Sequence, residues 1–345
     1  CTNRSLLAAA AAGVPVTTEI RLLVERLDRA RVIGITGSAG KSTTAAMTHH
    51  VFVARGVDAR LGGNLGGSLL GDLATIADDT VIVLELSSAM LYWLDAGVGR
   101  PDAPAWTPRV GVVTNITPNH VDWHGTFEHY AASKRRLLLD PRPGDVRSDR
   151  ADREPLETTL AVPGRHNWQN AAVAIAAVRA MRPEITAAQA TEALATYTSL
   201  PHRLRRVHEA DGRVFYDDSK STTPEACRLA VEAFDRARSV HLIAGGYDKG
   251  VDLSPIGAMG PSLGGLYVIG STADAIALAA GGTAERCGTL EVAVRAAVAR
   301  MASGDVLLLS PGCASWDQFE NYEQRGRRFA ELVRAATTPA RREAT

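Results

Sequence analysis

Short unbroken apolar runs alternate along most of this chain with stretches in which apolar residues return at helical spacing. Arg31-Val32-Ile33-Gly34-Ile35, Val81-Ile82-Val83-Leu84 and Val110-Gly111-Val112-Val113 are strand-like. After a break, Val214-Phe215-Tyr216, Ser239 to Ile243, Gly265 to Ile269 and Val306 to Leu309 repeat the pattern. Apolar runs without alternation predict strands covered on both faces, as in parallel sheets between helices. Helices are predicted over Ala45–Phe52, Ala171–Ala180 and about Ala187–Tyr197. The pattern therefore predicts two α/β bodies, over 31–199 and 200–345, with Leu200-Pro201-His202-Arg203 as the crossing between them.

Residues 1–30 read as a lead-in: a helix over Ser5–Ala12, a turn at Gly13, and a second helix up to Leu27. Asp140 to Glu157, with Pro141, Pro143 and scattered charge, reads as a surface connection. No internal repeat and no low-complexity tract is present beyond an alanine bias.

Composition narrows the class. At 345 residues there is room for two domains, and 46% hydrophobic with 22% charged residues describes a folded globular chain. Basic and acidic residues both number 38, so overall charge gives no reason to expect nucleic acid or a membrane as partner. No apolar run approaches the roughly 18 residues needed to cross a bilayer. The four cysteines, Cys1, Cys227, Cys287 and Cys313, lack the paired spacing of a zinc site or disulfide framework and read as packed thiols in a reducing, cytoplasmic setting.

The most informative stretch is Ile33-Gly34-Ile35-Thr36-Gly37-Ser38-Ala39-Gly40-Lys41-Ser42-Thr43-Thr44. A strand feeding a glycine turn, a lysine, a hydroxyl and a helix is a phosphate cradle: backbone N–H groups and the helix N-terminus face an anion, Lys41 reaches the outer phosphates, and Ser42 or Thr43 can hold Mg²⁺. The first glycine stands at Gly37, giving T-G-x-x-G-K-S-T in place of the longer general spacing.

Other candidates stand at the ends of predicted strands. Val81–Leu84 runs into Glu85-Leu86-Ser87-Ser88, where a carboxylate either organises Mg²⁺ or caps the next helix. The next strand leads to Thr114-Asn115-Ile116-Thr117-Pro118-Asn119-His120-Val121-Asp122, whose His and Asp suit a metal or a substrate. Lys134, in the helical Glu128–Arg136, taken alone reads as a solvated lysine.

In order along the chain come T-G-x-x-G-K-S-T, E-L-S-S, N-I-T-P-N-H-V-D, Y-A-A-S-K, G-R-H-N-x-x-N-A, L-P-H-R, D-D-S-K-S-T, G-G-Y-D-K-G and S-P-G-C-A-S-W-D-Q-F-E-N-Y-E-Q-R-G. This series, from about Leu6 to Leu332, resembles the Mur ligases, and its last four motifs resemble the glutamate-adding branch. The resemblance implies a central P-loop parallel-sheet domain followed by a Rossmann-like C-terminal domain. The activity implied is an ATP-dependent amide ligase adding glutamate to UDP-N-acetylmuramoyl-L-alanine through an acyl phosphate, in peptidoglycan precursor synthesis.

It also implies roles. Gly37, Gly40, Lys41, Ser42 and Thr43 would hold ATP phosphates, with Lys41, His120 and Lys134 catalytic. Ser42, Glu85, His120 and a carbamylated Lys134 would hold two Mg²⁺. Asn170, Arg203 and Asp218 would contact adenosine and ribose. Asn64 and Ser87 would face the UDP-muramoyl substrate, and Lys220, Thr222, Lys249, Ser315 and Tyr322 the glutamate. A monomer acting on small molecules is expected.

Three departures from the family pattern stand out. Only about 30 residues precede the P-loop, so an N-terminal UDP-binding domain is expected to be incomplete here. The connection from Lys134 to His166 is short. Ala39 stands where the family usually has asparagine, and Met90 where it usually has glutamine. An inactive nucleotide-binding relic, or a sister ligase of the Mur or folylpolyglutamate type, is the alternative.

Overall fold

The computed structural model describes residues 4–117, 121–149 and 160–338. They form two compact units, Cys1–Leu160 with His166–Tyr197 and Ala161–Arg165 with Thr198–Thr345.

The first unit is built on a five-stranded sheet of β1 (Val32–Thr36), β2 (Ala59–Gly63), β3 (Val81–Glu85), β4 (Val110–Val113) and β5 (Val146–Asp149). The order is β2-β3-β1-β4-β5 and every pairing is parallel. The three inner strands are buried at every position, which is why they read as continuous apolar runs. Ile35 is in register with Glu85 and Thr36 with Val113, so Thr36, Glu85 and Thr114 come together at the carboxyl end of the sheet. The helix Lys41–Ala54 leaves from that end.

Two expectations are corrected here. The surface connection over 140–157 contains β5, which pairs with β4 from Val110↔Val146 to Val113↔Asp149; a four-residue edge strand needs no apolar run to be held by one neighbour. Residues 150–159 lie outside the described residues. In the lead-in, the second helix is shorter than expected, Glu19–Val24, and its Ile20, Leu23 and Val24 join a core cluster with Leu84, Leu86 and Leu137. Arg21 fastens it by donating to the carbonyls of Trp93, Asp95 and Pro104 at 3.1, 2.8 and 2.7 Å.

The second unit contains β6 (Arg205–Ala210), β7 (Arg213–Asp217), β8 (Val240–Gly245), β9 (Gly265–Ile269), β10 (Ala284–Gly288) and β11 (Val306–Leu309), in the order β10-β9-β8-β11-β7-β6. All pairings are parallel except β6 with β7, a hairpin closed by Asp211-Gly212, both at positive φ as a tight two-residue turn requires. Alternate residues serve two core layers: Leu242, Leu266, Val268 and Leu308 face one cluster, Ile243, Tyr267, Ile269 and Leu309 the other. Strand order reverses between β8 and β11, and in such sheets ligand-binding loops gather at the carboxyl ends of the strands beside that switch.

Candidate active site

The phosphate cradle is shaped by two absent side chains. Gly37 has φ +151°, and a Cβ there would lie 1.9 Å from Thr114 Oγ1; Gly40 has φ +80°, and a Cβ there would lie 2.6 Å from Asn170 Oδ1. The loop between them is gripped by the segment after β4: Ser38 N donates to Asn115 O at 2.9 Å, Ala39 N to Asn115 Oδ1 at 2.9 Å, and Thr114 Oγ1 to Ala39 O at 2.6 Å. Lys41 opens the helix and folds back, its Nζ donating to Ser38 O at 3.1 Å. Ser42 is buried and Thr43 half-buried on the same first turn. A 14-residue helix with its N-terminus held open in this way attracts an anion.

Glu85, the last residue of β3, is 1% exposed. Asn64 fixes it twice, its backbone N donating to Glu85 O at 2.9 Å and its Nδ2 to Oε1 at 3.0 Å. Oε2 is buried without a hydrogen-bond partner among the described residues. The capping alternative fails, because the next helix, Ser88–Trp93, is capped by Ser87, whose Oγ accepts from Met90 N at 3.1 Å. A buried carboxylate oxygen left open is a hard-oxygen ligand of the kind that suits Mg²⁺.

Lys134 is not a solvated lysine. It is 2% exposed, donates to Thr36 Oγ1 at 3.3 Å and lies 4.8 Å above the Tyr130 ring. Burial, reinforced by the charge of Lys41 and opposed by Glu85, lowers its pKa to about 7. His120 lies outside the described residues, and among the described residues no three carboxylate, imidazole or thiol groups cluster as a metal site.

Lys41, Asn64, Ser87 and Lys134 line one cleft of about 410 Å³. His124, which the sequence reading did not single out, joins them there. Its Nε2 meets Ser88 Oγ at 2.9 Å and its Nδ1 meets His129 Nδ1 at 3.0 Å. The two histidines are brought together by a turn at Gly125 and a helix restarted by the Thr126 cap, which a single helical period does not reveal. Asn170 adjoins the cradle from the helix Arg165–Met181, its Oδ1 buried without a partner among the described residues.

The second unit carries Asp218, Lys220, Thr222, Lys249 and Ser315 on loops after β7, β8 and β11, with Arg203 just before β6 and Tyr322 opening the helix Tyr322–Thr337. Asp218 is an internal hub: Oδ1 accepts from Leu204 N at 3.0 Å, Oδ2 from Ser221 Oγ at 2.5 Å and Ser310 Oγ at 2.8 Å. Its pKa is raised to about 6 because burial outweighs those hydrogen bonds and the nearby charge of Arg203. Arg203 itself stands between two left-handed residues, His202 (φ 60°) and Leu204 (φ 48°). Lys220 Nζ lies 5.1 Å over the Tyr322 ring, bringing two candidates together. Lys249 Nζ lies 5.2 Å over Trp316, the neighbour of Ser315, and Trp316 packs on Tyr247 with centroids 5.5 Å apart. Thr222 is half-buried just before the Thr223 cap of the helix Pro224–Val231. Burial, with Glu323 adding to it, raises the Tyr322 phenol to about 12. Trp316 and Arg325 fall within a recognised motif, yet their contacts are visible only in three dimensions.

Comparison with known proteins places the chain in a family. Residues 35–148 match the Mur ligase middle domain and residues 202–313 the Mur ligase glutamate ligase domain. The chain is 36% identical to the UDP-N-acetylmuramoylalanine–D-glutamate ligase of Zymomonas mobilis, covering 96% of this chain and 80% of that protein. It is 37% identical to the ligase of the same name from Sphingopyxis alaskensis, covering 96% and 82%. Among solved structures, the UDP-N-acetylmuramate-alanine ligase MurC of Thermotoga maritima superposes with a TM-score of 0.67 at 17% identity, covering 97% of this chain and 83% of that one. The folylpolyglutamate synthase of Mycobacterium tuberculosis, complexed with ADP and AMPPCP, gives 0.61 at 17% identity, covering 94% and 98%. The chain belongs to the Mur ligase family of ATP-dependent ligases.

Proposed function

We propose that this chain joins D-glutamate to UDP-N-acetylmuramoyl-L-alanine, using ATP, in peptidoglycan precursor synthesis. The observation that carries the proposal is one cleft holding Lys41, Asn64, Ser87 and Lys134, directly beside a buried carboxylate with an open oxygen. The names of the relatives support the choice of substrate.

A carboxylate is a poor electrophile, so the muramoyl-alanine carboxylate first attacks the γ-phosphorus, ADP departs, and an acyl phosphate remains. The N–H groups of Gly40 to Thr43 at the helix N-terminus and the ammonium of Lys41 hold the phosphates and take up their charge in this step. Ser42 and Glu85 would hold one Mg²⁺, and His120 with carbamylated Lys134 a second, supplying further charge neutralisation at the phosphates. Asn64 and Ser87 orient the muramoyl-alanine end. Asn170, Arg203 and Asp218 bind the nucleoside. The glutamate amine then attacks the acyl carbon, the C–O bond to phosphate breaks, and the amine proton is released as the amide forms.

Glutamate brings two carboxylates and an ammonium. Lys220 and Lys249 offer one cation for each carboxylate, with Thr222, Ser315 and Tyr322 as hydroxyl donors, so the pocket chemistry suits a dicarboxylic amino acid. The acting unit is a monomer with small-molecule partners. Among the described residues no helix is long and apolar enough to cross a membrane.

The test is phosphate release by the purified chain with ATP, Mg²⁺, UDP-N-acetylmuramoyl-L-alanine and either enantiomer of glutamate. Release that needs the muramoyl substrate and D-glutamate together is expected. Release with another amino acid in its place, or none under any combination, overturns the proposal.

A further inference from the structure

Arg325 is the most deeply buried large cation of the second unit, 1% exposed, and every bond recorded for its guanidinium goes to a carbonyl or a hydroxyl. Nε donates to Ser219 Oγ at 2.9 Å and Nη2 to Ser219 O at 2.8 Å. Nη1 donates to Ala314 O at 3.0 Å, and Nη2 also to Cys313 O at 3.1 Å. Burial of this charge lowers its pKa to about 10. Burying a cation with no directly bonded carboxylate is costly, and the fork of hydrogen bonds offsets that cost only while both loops stay in place.

The bonded residues are the immediate neighbours of the glutamate candidates. Ser219 precedes Lys220, Ala314 precedes Ser315, and Arg325 follows Tyr322 by one helical turn. Ser219 Oγ closes the ring by donating to Tyr322 O at 2.8 Å. The loop bearing Lys249 is drawn in as well, since Tyr247 N donates to Ala314 O at 2.9 Å. Gly246 allows this approach: a Cβ there would lie 2.2 Å from Ala314 O and 3.1 Å from Arg325 Nη1.

We infer that Arg325 is the positioning residue of the amino-acid pocket, a guanidinium fork that sets the relative placement of Lys220, Ser315, Tyr322 and Lys249 without touching the amino acid itself. The inference rests on the glutamate-ligase reading above. A lysine cannot replace it, because a single ammonium lacks the planar fork that serves both loops at once.

The test is R325K in the full chain, assayed by phosphate release with each substrate varied in turn, alongside S219A, which removes only the side-chain link. R325K is expected to raise KM for glutamate about tenfold or more, leaving KM for the muramoyl substrate within about twofold and moving KM for ATP, whose candidate Asp218 adjoins Ser219, by less than KM for glutamate, because uniform binding is lost chiefly at one pocket. S219A is expected to shift KM for glutamate the same way by less. Hydrogen exchange is expected to quicken in loops 218–222, 246–250 and 312–318 more than elsewhere in the unit. An active wild type matched by R325K and S219A in KM for glutamate overturns this inference alone, as does an equal rise in all three KM values. A wild type with no glutamate-dependent release overturns it together with the ligase reading. If R325K does not fold, S219A decides by the same criteria.

Discussion

Asn64 holds Glu85 at two points, by its backbone N on the Glu85 carbonyl at 2.9 Å and by its side-chain amide on Oε1 at 3.0 Å, so that Oε2 alone stays open. Removing the amide leaves the carboxylate free to rotate. N64A is therefore expected to reduce phosphate release about 10–100-fold, the usual consequence of losing an outer partner of a metal-binding carboxylate, and to raise the Mg²⁺ concentration needed for half-activity. A Mg²⁺ titration of wild type and N64A checks this; an unchanged Mg²⁺ requirement would count against Glu85 as a ligand.

Gly37 cannot take a side chain. Its Cβ would strike Thr114 Oγ1, the group that also anchors the Ala39 carbonyl. G37A is expected to cost about 1–3 kcal/mol of stability through backbone strain and displacement of Thr114, read as a lower urea midpoint, and to weaken ADP binding in calorimetry.

Lys134, held near neutrality by burial, carries an amine able to react with CO₂ at ordinary pH. The ammonium first gives up one proton; the amine then attacks CO₂, the N–C bond forms as one C=O bond opens to a carboxylate, a second proton leaves, and an anionic ligand has replaced a cation. With ¹³C-bicarbonate, wild type is expected to show a carbamate carbon signal that K134M lacks. K134M is expected to remain folded and lose phosphate release, since an apolar side chain of similar length suits the buried position.

Asp218 predicts a pH dependence. Its pKa is higher in the folded state, about 6, than the ordinary 3.8, so the stability contributed by the protonated carboxyl is complete below the ordinary value and is lost as pH rises through about 6. At pH 8, D218N is expected to exceed wild type by up to about 3 kcal/mol, two pKa units' worth, in urea unfolding. The difference should close as the pH falls toward about 4. A difference independent of pH would mean that the carboxyl titrates normally.

What the sequence could reveal follows from where each strand lies. The inner strands β1, β3, β4, β8, β9 and β11 are covered on both faces, so their apolar runs stand out, and β7 is visible through Val214-Phe215-Tyr216. The strands that no apolar run announces, β2, β5, β6 and β10, are the edges of the two sheets. An edge strand is paired on one side only and carries polar residues such as Arg60, Arg147, Arg205 and Glu285 without penalty. The candidate site was legible where spacing carries chemistry, as in the cradle and Glu85. It was not legible where meaning depends on burial or on distant partners: the desolvation of Lys134, the grip of Asn64, the meeting of His124 with His129, and the four carbonyl and hydroxyl bonds of Arg325.

The hold of Thr114 and Asn115 on Ala39 is made through its backbone alone, while its side chain is exposed. The cradle is thus specified by neighbours and by two omissions, at Gly37 and Gly40, and the side chain at position 39 takes no part in holding the loop. The loop is a word spelled by the main chain, and the same freedom makes position 39 the place to attach a reporter group without unmaking it.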